Sequence, residues 1–550
     1  MRILFAILAS SCCLLAQKAS YDPYFPKPSY FRKHFGGTPA HVQLSPPARL
    51  TDYVVGDKLE LSLKSYLDLV MANNADIIIQ KLTVEFNRDA ITRAFSIFDP
   101  LAIARFNTTR TQSPSSSLLV GASTLNQLQQ PLSLQYSQTL PTGTQYNLLF
   151  GTTKTSSNST FSTFNPQLSS NLNFSMAQPL LRGRGMFLTK LPISIARSRL
   201  RAADYGFQDQ LIQAITTAEN AYWDVVSARE NLRVQEESLK LADAALKRAQ
   251  KELELGATSP LEIYQPEANF ANAQLAVVQA RYGLANSENA LRRQMGADLD
   301  PNYQRMPIVL TEPVEAVSEI GTIDGPTAIA EALRRRPDLK NTVQNIDADD
   351  LNIRLANDAL RPNLSLTAQY GSSGLGGIFY PRTTLVDPTL PVVPVLPIAG
   401  GIGDALGGVF GFSYPVYGFG LSLQLPIRDR KAAADLADAL VQRKLDVFKQ
   451  RSVEENIRLQ VLTALNQIDN SRDSLKLAKV ARDLAQKRVE ADQKRYELGT
   501  TTLFFVLASQ NDFVLAESNL LAQYINYRRN QTALLQRTGQ LLEERGIVVQ

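Results

Sequence analysis

Side chains that make or break covalent bonds are scarce in this chain. Its only cysteines, Cys12 and Cys13, lie side by side in the opening stretch MRILFAILASSCCLLAQ, and its only histidines, His34 and His41, follow soon after. A metal pair at His34 and His41 would need thiolates or clustered carboxylates beside it. None stands there, so both read as surface histidines. Elsewhere there is no glycine-rich phosphate loop and no glycine-flanked nucleophile of the hydrolase kind. No catalytic residue, cofactor site or metal site is expected, and the chain does not read as an enzyme. Fifty-seven Lys and Arg against 52 Asp and Glu leave a net charge of +5 over 550 residues, which gives no reason to expect nucleic acid. The remaining chemistry is that of surfaces, and surfaces depend on the elements that carry them.

The first of those elements concerns export. One Arg, an apolar run from Ile3 to Ala16 and then polar residues form a secretory signal, with cleavage expected after Ala16. The run is too short to span a bilayer. Cleavage there leaves no thiol and no disulfide. The other reading, a lipoprotein acylated at Cys12 or Cys13, needs a better-matched run before the cysteine than Ala9-Ser10-Ser11. Export without disulfides suits a bacterial envelope protein. Residues 17–58, rich in proline and aromatics, read as an extended segment lying on something else.

The longest regular pattern begins after Arg428. No proline follows it, and its only glycines are Gly499, Gly539 and Gly546. That predicts a helix from Arg430 to Leu498, a turn at Gly499–Thr502 and a second helix from Leu503 to Thr538. At ~1.5 Å per residue the first arm reaches on the order of 100 Å. A similar pair precedes it: a helical run from Ile193, a turn at ELGATSP (254–260), and an arm from Leu261 to Met295 that ends at Gly296. Along Asp204–Leu255 the apolar residues are sparse (Leu211, Ile215, Tyr222, Val225, Leu232, Leu239), with alanines between them. A narrow seam with a broad polar remainder fits a two-stranded coiled coil, and equally a wall that is wet on both faces.

Shorter helical patterns cover Leu59–Ser96 and Ala328–Leu360. Alternating segments follow each: 101–108, 132–139, 144–151 and 168–181 in the first half, 363–371 and 420–427 in the second. Loops rich in Ser, Thr, Asn and Gln and carrying few charges join those of the first half. Such segments fit outer-membrane barrel strands, and nearly as well a soluble β edge. Residues 372–417 are apolar and rich in Gly and Pro; Pro391, Pro394 and Pro397 argue against a membrane-spanning helix there.

The two halves are copies. Gly256 and Gly499 are 243 residues apart, and so are Gly296 and Gly539; Asp99-Pro100 lies 262 before Arg361-Pro362. The expected organisation is a signal over 1–16, the N-terminal segment 17–58, a first repeat over 59–298, a linker over 299–326, a second repeat over 327–541 and a tail over 542–550. Two long units suggest a duplicated protomer within a symmetric assembly rather than a solenoid.

AQPLLRGRG (177–185), AYWDVVSARENL (221–232) and the tips LELGATSPLEIYQPE (253–267) and YELGTTTLFFVLASQ (496–510), set in this duplicated order, resemble the TolC family of outer-membrane efflux channels over nearly all of the chain beyond residue 58. The resemblance implies a mixed α and β membrane protein. Three copies would each give about four strands to a shared outer-membrane β-barrel and their helices to a periplasmic α-helical barrel. It implies a passive duct that docks on a periplasmic adaptor (membrane fusion) protein coupled to an inner-membrane transporter of the RND, ABC or MFS type. The hairpin candidates at 132–151 exceed two strands in the first half, so they either protrude from the loops or enlarge the barrel. The rival reading is a non-pore periplasmic coiled-coil adaptor or scaffold, which leaves the paired strand blocks unexplained.

In the family the tips hold the gate. Its acidic pore residues stand six and nine positions after the tip glycine, where this chain has Phe505 and Ala508, so Phe504 and Phe505 are the candidate constriction. Such a constriction can close by dewetting; the alternative is that both rings pack on neighbouring helices. Tyr496 matches a tyrosine that links the tips, with Glu262 as its expected partner, while Thr501 replaces the basic residue of a second link. Adaptor docking is expected at Gly256, Ala257, Thr258, Gly499, Thr500 and Thr501, where small residues allow close approach and helix-end backbone groups are free to bond.

Overall fold

The computed structural model describes residues 27–35, 49–115, 123–159, 162–256, 259–313, 324–381 and 396–547. The chain divides into two compact units, residues 1–48 and 49–550. In the first, Pro28–Phe35 is a helix in which His34 Nδ1 donates to the Tyr30 carbonyl at 2.9 Å and the two rings stack. The expected signal, Cys12, Cys13 and His41 lie outside the described residues.

The second unit opens with β1 (Val54–Val55) and β2 (Lys58–Leu61), then α1 (Leu63–Asn73) and α2 (Ala75–Phe95). The boundary expected at residue 58 thus falls at the first residue of β2. Asn74 separates the two helices and caps the second, accepting from the Asp76 and Ile77 amides. The long helices follow as expected: α3 (Leu191–Glu254) with α4 (Tyr264–Gln294) and, after α5 (Gly325–Arg335) and α6 (Pro337–Ala359), α8 (Arg430–Glu497) with α9 (Leu503–Thr538). The intervening α7 (Ile402–Phe410) was not foreseen in the sequence.

Helix α8 starts where the Asp429 carboxylate accepts from the Ala432 amide at 2.9 Å and runs 68 residues without Gly or Pro. Its buried positions Ile457, Val461, Ala464, Ile468, Ser471, Leu475 and Ala478 step by four and three in turn. That 3.5-residue period keeps one seam against the neighbouring helices, as in a coiled coil, and leaves the rest of the surface to water. Charged pairs one turn apart, such as Arg451 with Glu455, occupy that surface.

The main core gathers in the first half, with Ile525 and Leu541 of the second half joining it. Tyr66, Leu69 and Val70 of α1 pack on Ile215, Tyr222 and Val225 of α3, with Leu61 of β2 and Ile308 of β8 (Ile308–Leu310). The expected linker therefore contributes a strand, paired in parallel with β2 to form a small sheet, β1-β2-β8. The Tyr222 hydroxyl donates to the Leu61 carbonyl at 3.3 Å and accepts from the Glu312 amide at 3.4 Å, tying that sheet to α3. Nearby, Glu219 is fully buried and accepts from Arg545 at 2.6 and 3.1 Å and from Thr532 at 2.7 Å, joining α3 to α9 and the C-terminal turn.

The large sheet is antiparallel throughout: β3 (Leu101–Phe106), β4 (Thr109–Pro114), β5 (Thr124–Thr139), β6 (Gln145–Ser157), β7 (Phe164–Pro179), β9 (Asn363–Phe379) and β10 (Tyr414–Gln424), in the order β10-β9-β7-β6-β5-β3. Strands β3 and β4 pair in succession along β5, so the sheet has six lanes. This corrects the expectation of about four strands per protomer: the 132–151 hairpin lies inside the sheet, and its strands extend beyond the segments expected from the sequence. The register explains why. Tyr136, Leu148, Phe174, Tyr370 and Tyr417 stand in one row across it, and Leu134, Phe150 and Leu172 in the next on the same face. The opposite face carries Ser137, Asn147, Ser175, Gln369 and Gly418. One face is thus apolar and exposed, the other mainly uncharged and polar. Among the described residues no helix is long and apolar enough to cross a membrane.

Candidate functional site

The first arm of each hairpin stops at a left-handed glycine. At the second tip Gly499 adopts φ +71°, its amide donates to the Tyr496 carbonyl at 2.9 Å, and the Thr500 amide donates to the Arg495 carbonyl at 2.9 Å. This is a Schellman cap, which needs a left-handed residue after the helix and so selects glycine. Gly256 has the same left-handed backbone, φ +72°, and the matching first bond, its amide on the Leu253 carbonyl at 3.0 Å. Gly296 and Gly539 are left-handed too, at φ +69° and +74°. The repeated glycine spacing is therefore a spacing of helix stops.

The expected docking residues divide into four cases. Gly256 and Gly499 sit at these turns, and a β-carbon on either would meet nothing within 4 Å among the described residues. Thr500 is exposed, but its amide and hydroxyl both bond the Arg495 carbonyl, so that helix end is satisfied internally rather than open to a partner. Thr501 is half-buried. Ala257 and Thr258 lie outside the described residues.

The tips are joined, though not through the expected pair. The Tyr496 hydroxyl of α8 donates to Glu252 Oε2 of α3 at 2.8 Å, and the Arg248 guanidinium covers the Tyr496 ring at 4.6 Å while holding Glu252 Oε1 at 3.0 Å. Glu252 and not Glu262 is the hydrogen-bond partner, because it lies on the last turn of α3, on the face turned to α8. Glu262 stands beyond the turn in the short helix Pro260–Ile263, with its side chain exposed. Burial first, then the Glu252 carboxylate, push the Tyr496 phenol up to about 12; the Glu262 charge adds to the effect. The sequence signal for Glu252 was its i,i+4 spacing from Arg248, which marks a preorganised pair.

Phe504 and Phe505 open α9 and meet edge to face, with centroids 5.6 Å apart. They are 58% and 52% exposed, whereas the next residues, Val506 and Leu507, are buried against neighbouring helices. The two rings are thus left over from the packing of the hairpins. Ala508, one turn on, is half-buried. Behind them Arg488 bonds Asp512 at 2.8 Å across the second hairpin, a brace that sequence reasoning missed. A neutral cleft of about 290 Å³ runs between the hairpins, lined by Gln235 and Leu241 of α3, Asn269 and Asn272 of α4, and Gln510 and Asn511 of α9.

The sequence profile of the outer membrane efflux proteins matches residues 143–297 and 328–540. The chain is 23% identical over 356 residues to the outer membrane efflux protein BepC of Brucella suis biovar 1, spanning 64% of this chain and 69% of that protein. It is 23% identical over 389 residues to the outer membrane protein TolC of Vibrio cholerae serotype O1, spanning 68% of this chain and 78% of that one. Its fold is similar to that of the CmeC outer membrane channel of Campylobacter jejuni, with a TM-score of 0.63 at 16% identity over 87% of this chain and 86% of the other.

Proposed function

The chain belongs to the outer membrane efflux protein family, as an outer-membrane channel continued by periplasmic helices, and from that premise we propose how its own residues build and close the duct. Members of this family are channels rather than enzymes. Three copies join edge to edge through β10 on one side and the β3–β4 lane on the other. Sheet edges in lipid must be paired, because an unpaired backbone group costs several kcal/mol there. With six lanes per copy the shared barrel is wider than one of four lanes each. Its apolar face meets lipid and its polar face lines the water path. That two-faced sheet is the observation that carries the reading, and it is what a non-pore adaptor would lack.

At the other end the tips close the duct. The Tyr496–Glu252 bond and the Arg248 cover hold the two hairpins together, and Phe504, Phe505 and Ala508 face the narrowing pore. The exposure of both rings in a single copy supports this, since apolar rings left free by their own chain are available to meet across an axis. The exposed turns at Gly256 and Gly499, with exposed Thr500 and half-buried Thr501 beside the second, receive the helical tips of a periplasmic adaptor by close approach to small residues, and the adaptor couples the duct to an inner-membrane pump of the RND, ABC or MFS class. Ala257 and Thr258 complete the first of these turns in sequence.

Reconstitution tests the whole. Purified protein in planar bilayers should give discrete conductance steps, and on gels it should migrate as a trimer that collapses to the single chain on heating. A monomer freely soluble without detergent would end the reading. A photo-crosslinker at Thr501 should capture an adaptor in cells; capture of none would remove the docking role.

A further inference from the structure

The connection from β9 to β10 does more than close a loop. Within it, α7 (IGDALGGVF) lies flat on the sheet over β9 and β7. A β-carbon at Gly374 would stand 1.9 Å from the Ala405 carbonyl oxygen, and one at Gly376 2.3 Å from that of Gly401, so only glycine lets the helix seat so deeply. Ser372 Oγ donates to the Gly408 carbonyl at 3.3 Å. Rings continue the contact: Phe410 stacks on Phe150 at 6.4 Å, and Phe412 meets Tyr370 at 6.0 Å.

Ser372, Gly374 and Gly376 share the apolar face of β9 with Leu364, Leu366, Ala368 and Tyr370. The helix therefore lies on the face turned to lipid, not in the pore. It covers the part of that face where the strand has no apolar side chain to offer. Ala405 and Val409 are fully buried against the sheet, while Ile402 is 44% exposed and Phe410, one side of its ring on Phe150, is 61% exposed.

The lengths indicate what the helix is for. Bare β9 is apolar from Leu364 to Tyr370, about 23 Å of strand at ~3.3 Å per residue. Tilted by roughly 40°, that stretch rises only ~18 Å, short of the ~25 Å apolar band of an outer-membrane barrel. Extending coverage to Gly376 makes about 43 Å of strand, or ~33 Å of rise, enough for the band.

We propose that α7 is a lipid-facing element, seated on the outside of the barrel wall in the outer leaflet, where its residues Ile402 and Phe410 meet acyl chains in place of side chains that β9 lacks. The placement in the outer leaflet follows from chain direction: β9 begins next to α6, on the periplasmic side, so its Phe379 end is the far one. A neighbouring copy does not cover the helix, because β9 and β7 are interior lanes and only β10 and the β3–β4 lane are edges. This rests on the channel reading above, which sets the lipid side of the sheet.

The chain has a single tryptophan, Trp223, buried in the helical core, so an added tryptophan reports its own surroundings. Phe410→Trp and, as a wall control, Leu421→Trp are reconstituted in phosphatidylcholine vesicles with or without lipid carrying a doxyl group on the acyl chain. Doxyl lipid should quench both to a similar degree, and aqueous iodide neither. Quenching of Leu421→Trp by doxyl lipid together with quenching of Phe410→Trp by iodide alone overturns this proposal and leaves the channel intact. If doxyl lipid quenches neither, the lipid side of the sheet is itself wrong. Adding Gly374→Val to Phe410→Trp should unseat the helix and expose the new indole to iodide at least several-fold more; an unchanged response would refute the seat.

Discussion

The bond between Tyr496 and Glu252 gives the gate a number. Replacing Tyr496 by Phe removes one hydroxyl and leaves the ring under Arg248 in place. A hydrogen bond to a carboxylate contributes about 1.5–3 kcal/mol. At a half-exposed tip the lower figure applies, so the closed form loses ~1.5 kcal/mol per copy, roughly a tenfold shift toward release. If three equivalent links hold the tips independently, the shifts compound to about a thousandfold. The readout is single-channel recording in planar bilayers: Tyr496→Phe should lengthen open dwells or raise conductance, and Glu252→Ala should do so more, since it also frees Arg248. Glu262→Gln should change little. The phenol, pushed up to about 12, remains a donor throughout the neutral range, so the Tyr496→Phe difference should not vary with pH there. A Tyr496→Phe trace matching the parent would refute the link. An effect of Glu262→Gln as large as that of Glu252→Ala would give the bond back to Glu262.

Three further outcomes follow from other contacts. Replacing both Phe504 and Phe505 by Ser should raise conductance by wetting the constriction, and no change would remove the pair from the gate. Asp349 of α6 faces Asp446 of α8, with Asp350, Arg443 and Lys449 around them; burial first, then Asp446, push the Asp349 carboxyl up to about 6. A folded pKa above the ordinary 3.8 means stability that is complete below about pH 4 and lost as pH rises through 6. Asp349→Asn should therefore raise the Tm above the parent's at pH 7.5, by the equivalent of on the order of 1–3 kcal/mol, with the gap closing near pH 4; an equal gap at both pH values would count against it. Glu219→Ala strands Arg545 and Thr532 and should cost about 3–5 kcal/mol, read as a lower temperature for trimer collapse on gels, while Glu219→Gln should cost less. Equal losses from the two substitutions would place the whole effect in the charge, because Gln keeps the volume of Glu.

The sequence was most legible where one local rule decided the outcome. Helices α8 and α9 came out within a residue of their expected ends, because absent Gly and Pro set their lengths and left-handed glycines set their stops. The two-faced alternation of β5, β6 and β7 was readable in the same way. What escaped depends on partners distant in the chain. Nothing in IVL at 308–310 says that it pairs in parallel with residues 59–61. Whether Tyr496 meets Glu252 or Glu262 depends on how far one hairpin slides along the other, and neither hairpin encodes that alone. Helix α7 contains Gly403, Gly407 and Gly408, poor helix formers, and holds because Gly374 and Gly376 admit it.

The duplication also divides by element, and physics says which part was free to change. A helix hairpin that must end level with its copy cannot vary, since moving a stop by one residue lifts a tip by ~1.5 Å and turns it by about 100°. Gly256 and Gly499, and Gly296 and Gly539, accordingly hold the same 243-residue spacing. A barrel wall is under a weaker constraint: closure needs paired edges and a consistent tilt, not the same number of lanes from each half. The first half has spread to four lanes while the second has two. The second half's strand then meets lipid with Gly376 and Ser372 where the first half has Leu168 and Leu172, and a helix folded back from its own loop makes up the difference. On this view Gly374 and α7 are one device, and substitutions at either should fail together: Gly374→Val and a deletion of α7 should each lower the collapse temperature, and the two combined should cost no more than the larger of them.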